Sequence, residues 1–370
     1  MAQIGPRQGA RQLALMVGLA AMFVGGCSSP QSSTANDAGR ETAGTIADIA
    51  GPLVLVTHDS FAVSEQVLTD FENRTGITVK IVHDGDAVEM VNKAILTKSN
   101  PQGDVLFGVD NNMVSRAFDA ELFDPYQSPA SSHINARYVF GDEARVTPID
   151  HADVCLNYDV NWFAGHGVQP PSSLDDLTRP EYRKLLVVEN PATSSPGLAF
   201  LLATIARRGA DGWDSYWGEL RANGVLVVDG WEQAYNASFS GSAGHGDRPI
   251  VVSYATSPAA EMINAEPPAS TPPTAVVPGS CFQQVEFAGV LAGSKRPAAA
   301  HAFIDFLLSN PFQNDMPLSM YVEPIVGDVS EPPAFNAVAV NPQDILHLSS
   351  DEIGTNRDRW IDQWTSTVLH

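Results

Sequence analysis

Two short motifs in the middle of the chain carry the residues with most chemistry to offer. They are Gly230-Trp231-Glu232-Gln233-Ala234-Tyr235 and Ser253-Tyr254-Ala255-Thr256-Ser257-Pro258. The first sets aromatic rings beside a carboxylate. In the second, Tyr254 ends an apolar run, and a Thr256-Ser257-Pro258 helix start follows at once. Aromatic faces attract cations by about 0.5–2 kcal/mol each, more as water is excluded. These residue types suit a flat, polar, cationic ligand better than a bond-breaking reaction. The four-residue step from Trp231 to Tyr235 also describes one buried helix face, so packing remains a reading of the same motif.

A third motif, Thr193-Ser194-Ser195-Pro196-Gly197, has the composition of an anion site. Three hydroxyls precede a Pro at the first helical position, where free N–H groups and the helix dipole favour negative charge. Ser-Ser-Pro is equally a plain helix cap. Asp86 is placed to accept hydrogen bonds from an amino-substituted ring, or to cap the helix that follows it. His58 and His83 with Asp59, Asp84 and Asp86 are metal-ligand types, but they come from separate strands without a diagnostic spacing, so no metal is expected. The chain has no G-x-S-x-G, no H-E-x-x-H, no P-loop and no G-x-G-x-x-G after a strand. That lowers the case for an enzyme and gives no reason to expect a cofactor.

These residues need elements to hold them. Apolar β-rich runs at 53–56, 77–82 and 104–109 alternate with helical spacing at 63–71, 88–95 and 113–118. Such alternation predicts an α/β fold with a parallel sheet covered on both faces, and ligands at the carboxyl ends of its strands. Those ends are polar: Thr57-His58-Asp59-Ser60-Phe61, His83-Asp84-Gly85-Asp86 and Asp110-Asn111-Asn112. A second α/β unit follows, with strands at 154–158, 185–188, 225–228 and 250–253, then a strand at 284–291 and a helix at 298–308. The length exceeds one domain of about 100–150 residues, so two lobes are expected. Their predicted bounds are 51–148 plus 283–325, and 149–282 plus 326–370. Trp360 and Trp364 are read as packing of a terminal helix over 351–368.

The N-terminus reads as an export signal. Arg7 and Arg11 precede an apolar run over 13–24, too short to span a bilayer. It closes on Val24-Gly25-Gly26-Cys27, which resembles a bacterial lipobox and makes Cys27 the expected lipid anchor to the membrane, with residues 1–26 removed. An ordinary signal peptide cut nearby is the alternative. Residues 27–50 are rich in Ser, Thr, Ala, Asn and Gly and read as a flexible tether. Cys155 and Cys281 remain. In an oxidising compartment they are expected to form one disulfide near the hinge between lobes, or else to be two buried thiols. Closing a loop of that size stabilises by about 4–5 kcal/mol in the chain-entropy account. The net charge of −22 argues against nucleic-acid binding.

Taken together, the segments resemble the thiamine-binding proteins of bacterial thiamine ABC transporters. Those that carry the resemblance are Asp59-Ser60-Phe61, Gly108-Val109-Asp110-Asn111-Asn112, Thr193-Ser194-Ser195-Pro196-Gly197-Leu198, the two aromatic motifs, and Phe312-Gln313-Asn314. The resemblance implies a two-lobed type II periplasmic-binding-protein fold with the ligand cleft between the lobes. It implies binding of thiamine or its phosphates and delivery to an ATPase-driven permease; a monomer is expected. Asp86 matches the acid near the aminopyrimidine, Ser194 and Ser195 the hydroxyl turn near the phosphate end, and Trp231, Tyr235 and Tyr254 the cleft aromatics. Asp59, Ser60, Asp110, Asn111, Thr256 and Ser257 are further expected ligand contacts. Tyr321 stands in Met320-Tyr321-Val322-Glu323-Pro324 where the family carries a Trp, and the segment after Phe61 is shorter and lacks a family Trp. Competing readings are a binding protein of the same fold for ferric iron or a polyamine, and a secreted hydrolase using Ser194 or Ser195 with His83 and an Asp.

Overall fold

β1 (Leu53–Thr57), α1 (Glu65–Thr75), β2 (Val79–His83), α2 (Ala87–Leu96) and β3 (Val105–Asp110) open the first lobe of the computed structural model. It describes residues 51–370 except 140–143, 243–244, 328 and 342–343. The signal, tether and Cys27 expectations fall on 1–50 and lie outside the described residues. β2, β1 and β3 pair in parallel, so all three carboxyl ends reach one rim. β3 is buried along its whole length, which is why it reads as a continuous apolar run. Gly76 takes the left-handed conformation that ends α1, and its N–H bonds the carbonyl of Glu72.

α3 (Val114–Asp119), β4 (Phe123–Asp124) and β5 (Thr147–His151) complete the outward run. The second lobe comprises β6 (Val154–Asp159), α4 (Val160–His166), β7 (Leu186–Glu189), α5 (Ser195–Arg208), α6 (Trp213–Ala222), β8 (Leu226–Val228), β9 (Ile250–Tyr254), α7 (Ser257–Asn264) and β10 (Thr274–Val276). Its sheet runs β10-β6-β9-β7-β8. The chain returns through β11 (Val285–Leu291), α8 (Pro297–Leu307), α9 (Asn310–Ser319) and β12 (Glu323–Pro324), then ends in α10 (Pro333–Val338) and α11 (Ser350–Val368). The first sheet is ordered β12-β5-β11-β3-β1-β2, with β4 also on β11.

The alternation predicted a parallel sheet; β1–β3 and β7–β9 do pair in parallel, but neither sheet is parallel throughout. β11 is antiparallel to both β3 and β5, and β6 is antiparallel to β9. The reason is topological. β11 and β6 are entered from the other lobe rather than through a helix in their own, so the rule that makes sequential strands parallel does not bind them. The outgoing crossing also falls later than residue 149: β5 runs to His151 and belongs whole to the first sheet.

Cys155, on β6, is bonded to Cys281, which lies just before β11. The bond ties the start of the second lobe to the segment about to leave it. The two-thiol alternative is therefore set aside. At the C-terminus α11 lies chiefly on α6, where Trp364 meets Trp217 edge to face at 5.5 Å. It also reaches α3, through an Arg116–Asp358 ion pair at 3.2 Å. Trp360 and Trp364 are buried, as their spacing had suggested. No described helix is long and apolar enough to cross a membrane.

Candidate functional site

The carboxyl ends of β1, β2 and β3 on one lobe face those of β7, β8 and β9 on the other. Between them lies a cleft with two adjoining parts of about 240 and about 340 Å³. His58, Ser60, Trp231, Tyr254 and Glu286 line both parts, so they mark where the parts meet.

The second lobe supplies the rings. Trp231 opens a π-helical turn, Glu232–Ser238, closed where the N–H of Phe239 bonds the carbonyl of Ala234 at 2.9 Å. Such turns are rare and recur at functional sites. The Trp231 and Tyr235 rings stack at 5.0 Å and 12° between planes, with Tyr254 at 6.0 Å and 53° from Trp231. The two stacked rings are held at their polar edges. Trp231 Nε1 donates to Ser253 Oγ at 2.9 Å, and Tyr235 OH donates to Glu261 Oε1 at 2.9 Å. Ser257 Oγ lies 2.8 Å from Ser253 Oγ and accepts from the Tyr254 N–H at 3.1 Å. The spacing of Trp231 and Tyr235 thus serves both packing and cleft, since Tyr235 is largely buried while Trp231 reaches the cavity. Burial pushes the Tyr235 and Tyr254 phenols well above their ordinary value, and Glu261 and Glu286 respectively add to it.

The first lobe supplies charge, and much of it is already engaged. Asp86 occupies the cap position of α2 but makes no side-chain cap bond there. Its carboxylate crosses the cleft and accepts from the N–H of Ser195 at 2.8 Å and of Trp231 at 3.1 Å. Ser195 Oγ donates to Asp110 in a short hydrogen bond. The α5 N-terminus expected to receive an anion therefore holds two of the protein's own carboxylates. Burial raises the pKa of both. For Asp110, to about 6, the Ser195 bond pulls against burial and Glu286 adds to it. For Asp86, the Ser195 and Trp231 N–H groups pull against it.

The other expected residues divide cleanly. Asp59 and Ser60 line the cleft, Asp59 accepting from the Gly85 N–H at 3.0 Å and Ser60 donating to Glu232 at 3.1 Å across the lobes. Thr256, Ser257 and Tyr321 line the larger part, and Tyr321 OH donates to Asn264 Oδ1 at 3.0 Å. Ser194 is buried as the cap of α5, accepting from the Gly197 N–H at 3.4 Å. Asn111 does not line the cleft: it pins the returning strand, accepting from the Val285 N–H at 2.8 Å and donating to the Gln283 carbonyl at 3.2 Å. His58, Glu261, Gln284 and Glu286 line the cleft without having been singled out as ligand contacts. Glu286 had a signal, a lone acid in the buried run Val285-Glu286-Phe287. It faces Asp150 across the β11–β5 pairing. Burial, with Glu286 beside it, holds the Asp150 carboxyl well above the usual range.

The hydrolase arrangement is not assembled. Ser195 is bonded to Asp110, and the His83 ring bonds the His58 carbonyl at 3.1 Å. Among the described residues, no group of three or more His, Cys, Asp or Glu is arranged to hold a metal ion. A further cavity of about 300 Å³ lies behind the crossing strands, with only Thr256 in common with the cleft. Its polar groups satisfy one another: His151 sits 2.7 Å from Tyr138 OH and 3.2 Å from Glu323.

Comparison with known proteins agrees with this geometry. The bacterial extracellular solute-binding protein family matches residues 100–355. The thiamine-binding periplasmic protein of Salmonella typhimurium is 29% identical over 320 residues, 85% of this chain and 93% of that protein. A solved periplasmic thiamin binding protein superposes with a TM-score of 0.76 at 28% identity, over 85% of this chain and 96% of the other. Iron-bound HitA from Pseudomonas aeruginosa shares the fold, with a TM-score of 0.68 at 18% identity over 85% of this chain and 99% of the other.

Proposed function

The chain belongs to the bacterial extracellular solute-binding protein family, and from that premise we propose that it captures thiamine between its two lobes and hands it to an ABC permease. The carrying observation is a cleft in which Trp231, Tyr235 and Tyr254 on one lobe face Asp59, Asp86 and Glu286 on the other. Among the described residues neither Lys nor Arg lines either part. Thiamine offers a thiazolium cation for the rings and acids, an aminopyrimidine for acceptors, and a hydroxyethyl group. The names of the relatives support the same ligand.

Thiamine phosphates fit the same frame less well. Their phosphate needs the Ser195 and Trp231 N–H groups, which Asp86 now holds, and among the described residues no Lys or Arg lines the cleft to replace them. The cleft binds without catalysing. Closing the lobes desolvates the ligand, and the ligand stabilises closure by its preference for the closed form. Residues 1–26 serve as export signal, 27–50 as tether, and Cys27 as lipid anchor holding a monomer at the outer face of the cell membrane. The hinge lies where β5 passes to β6 and where Gln283 and Gln284 lead back to β11. Calorimetric titration with thiamine tests the reading. Micromolar or tighter 1:1 binding is expected, and absence of binding to thiamine and both phosphates would end it.

A further inference from the structure

Among the described residues, the cleft is lined by seven carboxyl side chains and one side chain able to carry positive charge, His58. Its ring sits at the junction of the two parts. Nε2 lies 3.5 Å from Glu286 Oε1, at ion-pair distance. The fold makes room for it: Gly108, at φ +101°, lies against the ring, and a side chain there would collide with His58 Cδ2. Resting on the reading of the cleft as a thiamine site, we propose that His58 is the internal counter-cation of the empty cleft, and that an entering organic cation takes over its charge role while the imidazolium proton leaves to solvent.

The surroundings are asymmetric enough to carry this. Glu286 faces His58 from β11, Asp86 from the start of α2, and Asp59 from its own loop. On the β2 side stand His83, against the His58 carbonyl, and Asp84, which is paired with Lys93. Across the cleft stand the neutral Tyr254, and Glu232, tied to Ser60. Burial by itself lowers the His58 pKa, yet the facing carboxylates, Glu286 first, outweigh it and the net shift is upward. An empty cleft thus favours imidazolium. A thiazolium among the same acids favours neutral imidazole. By reciprocity, whatever the ligand does to the proton the proton does to the ligand. Affinity should be flat above the raised His58 pKa and fall by up to about tenfold per pH unit below it.

The test uses the signal-cleaved protein and thiamine, titrated calorimetrically in buffers of different ionisation enthalpy. Proton release per ligand bound should grow toward one as pH falls through the raised His58 value. Affinity should drop about tenfold or more between about pH 7.5 and about pH 5.5. His58→Asn should lose most of that proton release and bind more tightly than wild type at the acidic end. His58→Lys should bind about tenfold or more weakly throughout, because its charge cannot leave. An uncharged aminopyrimidine lacking the thiazolium should bind the wild type without releasing a proton, a readout that needs no variant. Equal proton release and equal pH slope in wild type and His58→Asn, with thiamine bound by both, overturns the role of His58 alone. No binding of thiamine by the wild type at any pH overturns the functional reading and this inference with it.

Discussion

The two rims of the cleft are built alike and equipped differently. Each is a row of parallel strand ends followed by helix starts. The first lobe brings four of the seven lining carboxylates and the imidazole, Asp59, Asp86, Glu89, Glu286 and His58, while the second also carries Asp229, Glu232 and Glu261. The second brings Trp231, Tyr235 and Tyr254, with Trp231 and Tyr235 tied at their polar edges within their own lobe. Either rim alone is a weak cation site, since a lone aromatic face or an exposed carboxylate contributes little in water. Brought together they desolvate one another. Asp86 shows the coupling, because its acceptors are on one lobe and its donors, the Ser195 and Trp231 N–H groups, on the other.

Separating the rims at their joint should have the largest effect. Replacing Cys155 and Cys281 by Ser removes the covalent tie beside the crossing strands. It should lower unfolding stability by about 2–5 kcal/mol, read from the denaturant midpoint. A change near zero would mean that the crossings hold without it. Next in size is Trp231→Ala, which strips the aromatic rim of its central ring. Thiamine affinity should fall by about 2–3 kcal/mol in a calorimetric titration. A loss below about 0.5 kcal/mol would reduce the aromatic pair to packing.

Asp86→Asn tests the acidic rim and the contact between rims together. Thiamine binding should weaken by about 1–3 kcal/mol, the scale of one charged hydrogen bond. The preference for thiamine over thiamine diphosphate, measured by competition, should narrow because a phosphate then meets one carboxylate fewer. An unchanged preference would remove Asp86 as its cause. The smallest effect expected is on stability against pH. Burial raises Asp110 and Asp153 to about 6 and Glu323 to about 7. Their folded-state values lie above the ordinary values of 3.8 and 4.5. Stability from these groups is therefore greatest below the ordinary values and is lost as pH rises through 6 to 7. The thermal midpoint should climb from neutral toward mildly acidic pH, with a shallower climb in Asp110→Asn. A midpoint that falls over that range would contradict it. Stability and thiamine affinity should thus move in opposite directions as the cleft is acidified.

Much of this arrangement was legible in the chain because it is local. An apolar run ending in His-Asp-Ser, His-Asp-Gly-Asp or Asp-Asn-Asn marks a strand tip wherever it occurs, and Ser194-Ser195-Pro196 marks a helix start. The Trp231–Tyr235 stack follows from one helical turn, although the π-turn that carries it does not. Asn111 shows the complementary limit. Its strand-end position suggested a ligand contact, while its amide is spent holding the strand that returns from the other lobe. Glu286 was passed over because it sits within an apolar strand whose neighbours are far away in sequence.

The sequence by itself determined the α/β alternation, the polar strand ends, the aromatic pair and the available cysteine pair. Each depends on residues within a few positions of one another or on simple composition. Only the tertiary structure decided that β11 runs antiparallel between β3 and β5, that Asp86 and Asp110 fill the α5 N-terminus, and that His58 stands among carboxylates from three elements. Those outcomes depend on which strands lie side by side and which lobe faces which. Contacts between groups many residues apart are fixed by packing, not by local spacing.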